Sequence, residues 1–311
     1  MKTITIVTPC FNEEVNVDDI YTQVKNVFAQ LPQYQYKHLF IDNSSNDSTV
    51  ALIKKLIEKD KNVQLIVNNR NFGHVRSPYY GLLQAQGDAA ILIAADLQEP
   101  PELIVDFIRK WEAGAQVVVG VKNQSKESKI FFAIRKFYYM LVTKIAEVEL
   151  IKNYTGFGLY DKEVLKVLRE LNDPYPYFRG LIPELGFKTD RVFYIQPQRK
   201  RGFSKNNFYA LYDMAMLGFT SNSKVPMRLA ALLGFSLAAL SLFVSFFYLV
   251  LKLVFWNSFS MGVAPVVVGL FFFFSMQLFF LGVLGEYVNQ ILVQVRKRPL
   301  VLENERINLD G

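Results

Sequence analysis

The sequence predicts an α/β domain with a mostly parallel sheet and helices on both faces, followed by a C-terminal transmembrane helical hairpin. Three observations carry that expectation. Short apolar, β-branched runs alternate with helix-spaced segments through residues 3–121. Two long stretches near the C-terminus carry no charge. Polar and acidic residues follow directly on the strand-like runs, where an open α/β sheet places its ligand site.

Residues 3–9 read as the first strand, a short run rich in β-branched side chains. Residues 15–31 follow with Val17, Ile20, Val24, Val27 and Phe28 at helical spacing. Residues 37–41 (KHLFI) are a second strand. Residues 48–59 are a helix opened by Asn46-Asp47-Ser48, with Asp47 read as a cap. Residues 63–67 are a third strand. A helix over 76–86 stops at Gly87, and 89–94 form a fourth strand. Residues 101–112 are helical with proline in the first turn, and 116–121 are a further strand. Beyond this the pattern loosens. Residues 126–148 and 206–219 read as amphipathic, aromatic-rich helices suited to the headgroup layer.

Residues 229–251 and 256–285 contain no charged side chain, and each exceeds the roughly 20 residues a helix needs to cross a bilayer. Lys224 and Arg228 precede the first stretch, and Arg296, Lys297 and Arg298 follow the second. Basic flanks stay cytoplasmic, so both termini are expected inside. Met1-Lys2 leads into ITIVTP, too short and too β-branched for a signal peptide, so the N-terminal domain is expected to stay in the cytoplasm. The expected organisation is a catalytic domain over 1–205, interfacial helices over 206–225, spans at 228–254 and 260–288 within 226–295, and a cytoplasmic tail over 296–311.

The net charge of +7 suits an anionic membrane surface and phosphate-bearing substrates. No basic helix, zinc spacing or aromatic RNA-binding motif accompanies it, so nucleic acid is not an expected partner. One cysteine, Cys10, excludes an internal disulfide and reads as a small buried residue. His74 and His38 read as packing or hydrogen-bonding residues, and Glu286 as interfacial.

The strand ends carry the chemistry. Thr8-Pro9-Cys10-Phe11-Asn12-Glu13-Glu14 follows the first strand, Asp42-Asn43-Ser44-Ser45-Asn46-Asp47 the second, and Asp96-Leu97-Gln98-Glu99-Pro100-Pro101-Glu102 the fourth. Carboxylates on one rim suit a nucleotide and a hard metal ion. Asp42 is placed to accept from a base or ribose. Asp96 and the Gln98 carbonyl are placed to hold Mg²⁺ or Mn²⁺ on a diphosphate.

The segments VTPCFNEEVNV, FIDNSSNDST, NRNFGH and AADLQEPPE resemble the family 2 glycosyltransferases. Within that family they look most like the polyprenyl-phosphate sugar synthases, relatives of dolichol-phosphate mannose synthase. The two-helix anchor narrows the resemblance to the bactoprenol glucosyltransferase type. Arg199-Lys200-Arg201-Gly202-Phe203-Ser204-Lys205 fits that branch's R-x-x-G-x-[ST]-K signature, and Phe178-Arg179-Gly180-Leu181 also has its expected place. The resemblance implies a GT-A fold, a divalent metal (Mg²⁺ or Mn²⁺), and inverting sugar transfer to a lipid phosphate. UDP-glucose is the favoured donor, with UDP-N-acetylglucosamine, UDP-galactose and GDP-mannose open. It implies undecaprenyl phosphate as acceptor, at the bacterial inner membrane. Pro9, Asn12, Glu13, Asp42, Ser44, Asn71 and Asp96 become the candidates for the nucleotide-sugar, and Asp96 with Gln98 for the metal. Arg135, Arg199, Ser204 and Lys205 become the candidates for the acceptor phosphate. Asp96, Arg135, Arg199 and Lys205 are the expected catalytic group. A homo-oligomer is a further expectation.

The sequence departs from the family pattern at three places. Ala94 stands where the metal motif has its first Asp, Asn43 where a second Asp follows Asp42, and Gly156-Phe157-Gly158-Leu159 where Asp-Phe-Arg-Leu is usual. Two other readings stay open on sequence alone. A processive polysaccharide synthase would carry a Gln-x-x-Arg-Trp motif and more spans. A non-catalytic nucleotide-sugar-binding scaffold would account for the lost acids.

Overall fold

A computed structural model describes residues 1–124, 151–174, 176–197, 263–296 and 298–309, with isolated positions between 232 and 254. The helices expected over 126–148 and 206–219, and most of the span expected at 228–254, lie outside the described residues.

An eight-stranded sheet forms the centre. Its strands are β1 (Lys2–Cys10), β2 (Tyr34–Asp42), β3 (Val63–Asn68), β4 (Ala89–Leu92), β5 (Val117–Gln124), β6 (Tyr154–Asp161), β7 (Thr189–Ile195) and β8 (Glu303–Ile307). They lie in the order β7-β5-β6-β4-β1-β2-β3-β8. β1 pairs parallel with β2 and β4, and β2 with β3. β6 runs antiparallel to both β4 and β5, and β8 runs antiparallel on β3.

Alternation along these strands divides the core in two. Ile4 and Ile6, Phe40 and Leu65 pack on one face against α1 (Val17–Ala29), α2 (Thr49–Lys59) and α4 (Ile104–Glu112). Val7, Leu39, Ile41 and Ile66 pack on the other against α3 (Gly73–Gln84), α5 (Lys162–Leu171) and α6 (Phe178–Glu184). Strands buried on both faces are the usual consequence of helices covering a parallel sheet. The five helical-spaced residues of α1 are its buried ones.

Some boundaries differ from the sequence expectation, each for a local reason. α3 starts at Gly73, three residues before the expected start, and ends at Gln84. The turn after it is fixed by β1: Asp88 N donates to Thr3 O at 2.8 Å, and Thr3 N to the Asp88 carboxylate at 3.0 Å. Gly87 sits between them at φ +104°, and an added Cβ would lie 2.6 Å from Thr3 O. β4 ends at Leu92 because the Ala94 N–H is taken by the Glu99 side chain rather than by a neighbouring strand. β6 carries Gly156 and Gly158 and has no clear strand pattern in sequence, yet it fills the slot between β4 and β5. Ser48 is the N-cap of α2, and Asp47, one residue before it, accepts from Thr49 N at 3.0 Å.

The second expected span is helical. α7 (Val263–Val295) has a window, Phe272–Asn289, long and apolar enough to cross a membrane. Phe272, Phe274, Leu278 and Phe279 along it are exposed. Residues 303–307, expected in the tail, instead return to the sheet as β8.

Gly87→Ala should lower stability by about 1–3 kcal/mol, because the left-handed φ and the Thr3 contact both resist a side chain. Thermal unfolding of the detergent-solubilised protein checks this; an unchanged Tm would show that the turn relaxes freely.

Candidate active site

The parallel strands β1, β2, β3 and β4 end on one rim, and antiparallel β6 begins there, since Leu92 at the end of β4 pairs with Gly158. A cavity of about 470 Å³ opens on this rim. Of the predicted residues, Pro9, Glu13, Asn71 and Asp96 line it. Asn43, His74, Glu99, Thr155 and Gly156 are among its other lining residues.

Asn12, Asp42, Ser44 and Gln98 do not line the cavity. Asn12, at φ +53°, joins the first two loops: its N–H donates to Ser45 Oγ at 2.8 Å, and its Oδ1 accepts from Asn46 N at 2.8 Å. Asp42, a candidate to meet a base or ribose, is buried, and its two oxygens accept from the Ser45 amide (2.9 Å) and the Ser45 hydroxyl. Burial pushes its carboxyl above the usual carboxylate range, against the pull of the Ser45 bonds. In this arrangement Asp42 shapes the turn in which Ser44 takes φ +65°. Arg135, Arg199, Ser204 and Lys205 lie outside the described residues.

Asn43, which stands where the family pattern has an acid, is the junction of the rim. Its Nδ2 donates to Asn71 Oδ1 (2.9 Å) and Gly73 O (3.2 Å). Its Oδ1 accepts from Phe72 N (2.9 Å) and Asn68 Nδ2 (3.0 Å). An aspartate could accept but not donate, so it could not hold Asn71 and Gly73 in this way. Asn68 also donates to Ser77 Oγ at 3.0 Å, which ties the loop to α3. The first turn of α3 then presents Gly73, His74 and Ser77 to the cavity. Burial, and after it the Arg179 charge, lowers the pKa of His74, so its imidazole is neutral near pH 7.

Asp96 and Glu99 form the acidic wall. Gln98 N donates to Asp96 Oδ1 at 3.2 Å, closing a turn through Leu97 at φ +58°. A left-handed leucine is uncommon, and here its side chain is anchored in the core. Glu99 is buried. Its Oε2 accepts from Ala94 N at 2.8 Å and its Oε1 from Thr155 Oγ1 at 2.9 Å. Burial pushes its carboxyl up to about 6, partly offset by those two bonds. Its partners lie 5 and 56 residues away in the chain, so no sequence pattern marks the role.

The two departures on β6 are fixed in the backbone. Gly156 has φ +109°, and its carbonyl accepts from Tyr160 OH at 2.5 Å. At Gly158 an added Cβ would lie 2.4 Å from Val118 O on β5. Neither position accepts the side chains of the usual Asp-Phe-Arg-Leu segment without moving the strand.

Among the described residues no three His, Cys, Asp or Glu side chains gather as a metal-binding group. A hard divalent ion does not require one, since Mg²⁺ binds through one or two carboxylates together with phosphate oxygens and water. Asp96 on the cavity wall fits that pattern.

The family 2 glycosyl transferase model matches residues 5–169, which contain every described wall of this cavity. The chain is a family 2 glycosyltransferase. Its α/β sheet is the GT-A arrangement that the sequence motifs imply. Three curated relatives align over nearly the whole chain. The glycosyltransferase YkcC of Bacillus subtilis is 32% identical over 98% of this chain and 97% of its own length. A prophage-derived bactoprenol glucosyl transferase of Shigella flexneri is 33% identical over 95% of this chain and 96% of its own. The bactoprenol glucosyl transferase of Shigella phage SfV is 32% identical over 97% and 99%.

Three substitutions test this site. Asn43→Asp removes both donors and buries a charge, so it should cost about 1–3 kcal/mol of stability and weaken nucleotide binding, read by calorimetry. Gly158→Ala should lower Tm more than Gly156→Ala, because the first meets backbone while the second meets only an unfavourable φ. The reverse order in thermal unfolding would contradict the strand geometry.

Proposed function

We propose that this glycosyltransferase moves a sugar, glucose from UDP-glucose in the first instance, to a polyprenyl phosphate such as undecaprenyl phosphate at the cytoplasmic face of the membrane. The observation that carries the reading is the make-up of the cavity wall. It offers Asp96 for a diphosphate-bound cation and a helix start for anionic groups, and at Gly156 it presents bare backbone where the family pattern that the sequence resembles has an acid. An acceptor that arrives already ionised suits such a wall. A phosphate monoester has a second pKa near 6 and is mostly dianionic at pH 7.

The chemistry follows from that acceptor. A phosphate oxygen attacks the anomeric carbon from the face opposite the leaving group. The bond from that carbon to the diphosphate breaks, and the nucleoside diphosphate leaves with the electron pair. Configuration inverts, and no proton needs to be removed from the nucleophile. A divalent cation, when bound at Asp96, would supply charge neutralisation for the departing diphosphate. Pro9, Glu13 and Asn71 contact the donor in this reading. Asn12, Asp42 and Ser44 hold the loops that do so. Arg135, Arg199, Ser204 and Lys205 are proposed to grip the acceptor phosphate, as planar guanidinium groups pair well with phosphate oxygens. The names of the bactoprenol glucosyl transferase relatives support the acceptor class.

Topology supports a membrane hairpin. β8 pairs with the catalytic sheet, so the chain leaves that sheet and returns to the same side of any membrane. An even number of crossings is needed between β7 and β8. With α7 as one, the uncharged residues 229–251 are the natural second.

Purified full-length protein, undecaprenyl phosphate, Mg²⁺ and a panel of nucleotide-sugars should yield a glycosylated lipid phosphate identifiable by mass. No product with any donor would refute the reading, and nucleotide binding without product would favour a scaffold. Asp96→Asn or chelation with EDTA should reduce transfer at least about 100-fold. The rate should rise with pH through about 6 as the acceptor dianion forms and then level off. A rate still climbing above pH 8 would point to a base on the enzyme.

A further inference from the structure

Without β8, β3 would be an exposed edge strand. β8 covers it from Leu65, opposite Ile307, to Asn68, opposite Glu303, with a bulge between Val67 and Asn68. The pairing runs into the cavity loop: Asn69 N donates to Leu302 O at 2.9 Å. The same segment also lies along α3. Arg76 Nη2 donates to Pro299 O (2.6 Å), Tyr80 OH to Glu303 (2.8 Å), and Arg306 to Gln84 Oε1 (2.8 Å). Residues 76, 80 and 84 are spaced by four and share one helix face. On the far side, Lys54 of α2 pairs with Glu305 at 2.6 Å.

The tail therefore holds both ends of the segment that runs from Asn68 to the first turns of α3. That segment supplies Asn71, Gly73, His74 and Ser77 to the cavity. None of the tail residues 299–309 lines the cavity. Only residues 296–302 separate the end of α7 from β8.

We propose that the C-terminal strand is a positioning element of the donor site, clamping the Asn69–Phe72 loop between β3 and α3 and so linking donor binding to the membrane-anchored end of the chain. The inference rests on the reading of this cavity as the nucleotide-sugar site. Loops that bind ligands gain affinity when their bound shape is fixed in advance. Strand addition to a sheet edge is a natural way to fix one, and here the backbone ladder depends on the Glu303 and Glu305 side chains to hold the strand against α3 and α2.

The test compares the full chain with one lacking residues 303–311 and with the Glu303→Ala/Glu305→Ala chain. UDP binding in the presence of Mn²⁺ is measured by calorimetry, and donor KM and kcat in the transfer assay. Loss of the strand should raise the UDP Kd and the donor KM about tenfold, with kcat at saturating donor changed by less than about twofold. A synthetic peptide of residues 299–311 added to the shortened chain should restore binding. Unchanged UDP affinity in the shortened chain overturns the inference. If that chain does not fold, unchanged affinity in the double alanine chain overturns it equally. A fall in kcat with unaltered UDP affinity also counts against it. Failure of the unaltered protein to bind UDP would instead remove the donor-site reading, and this inference with it.

Discussion

The amide side chain of Asn43 accepts from Asn68 and from the Phe72 backbone, and donates to Asn71 and Gly73. Buried next to the ends of two parallel strands, it satisfies groups that would otherwise face the protein interior without partners. Parallel strands deliver their loops to a common rim, but the register of the sheet does not dictate the shape of those loops. Here a side-chain network does so. Asn12, Asp42 and Ser45 perform the same service between the first and second loops. The cavity is the space left once these bonds are made.

The wall opposite this network is acidic but unevenly so. Glu99 is held from both sides by Ala94 and Thr155, joining the end of β4 to the start of β6. Asp96 faces the cavity. The Ala94 backbone amide donates to the Glu99 carboxylate. Gly156 and Gly158 are not simple deletions of side chains, since the first adopts a left-handed φ and the second lies against β5. The proposed phosphate acceptor suits such a wall, because it brings no proton that must be removed.

The helix long and apolar enough to cross a membrane joins the sheet at its other edge. Residues 296–302 lead from α7 to β8, which lies on β3 and along α3. In the proposed function α7 is a membrane anchor, and a domain whose own sheet includes the strand beyond that anchor would be restrained near the bilayer, where the proposed lipid acceptor stays.

Much of this was legible in the sequence. The alternation of β-branched runs and helical spacing marked β1 to β5 and α1 to α4, because strand and helix periods differ and burial demands them. The position of Asp96 after a strand, with the glycosyltransferase motifs, was enough to identify the rim and the family. Strand β6 was hidden by its glycines, and the tail was hidden because ENERI has no apolar alternation: an edge strand with a polar outer face shows little pattern. The roles of Asn43, Glu99 and Asp42 were also hidden, since each depends on partners brought close by folding. Sequence alone determined the elements, the strand-end acids and the apolar stretches, because local periodicity and composition are properties of the chain. Tertiary structure decided which acids face the cavity, which are buried as braces, and where the C-terminal segment lodges, because hydrogen bonds between distant segments exist only after the sheet has brought them together.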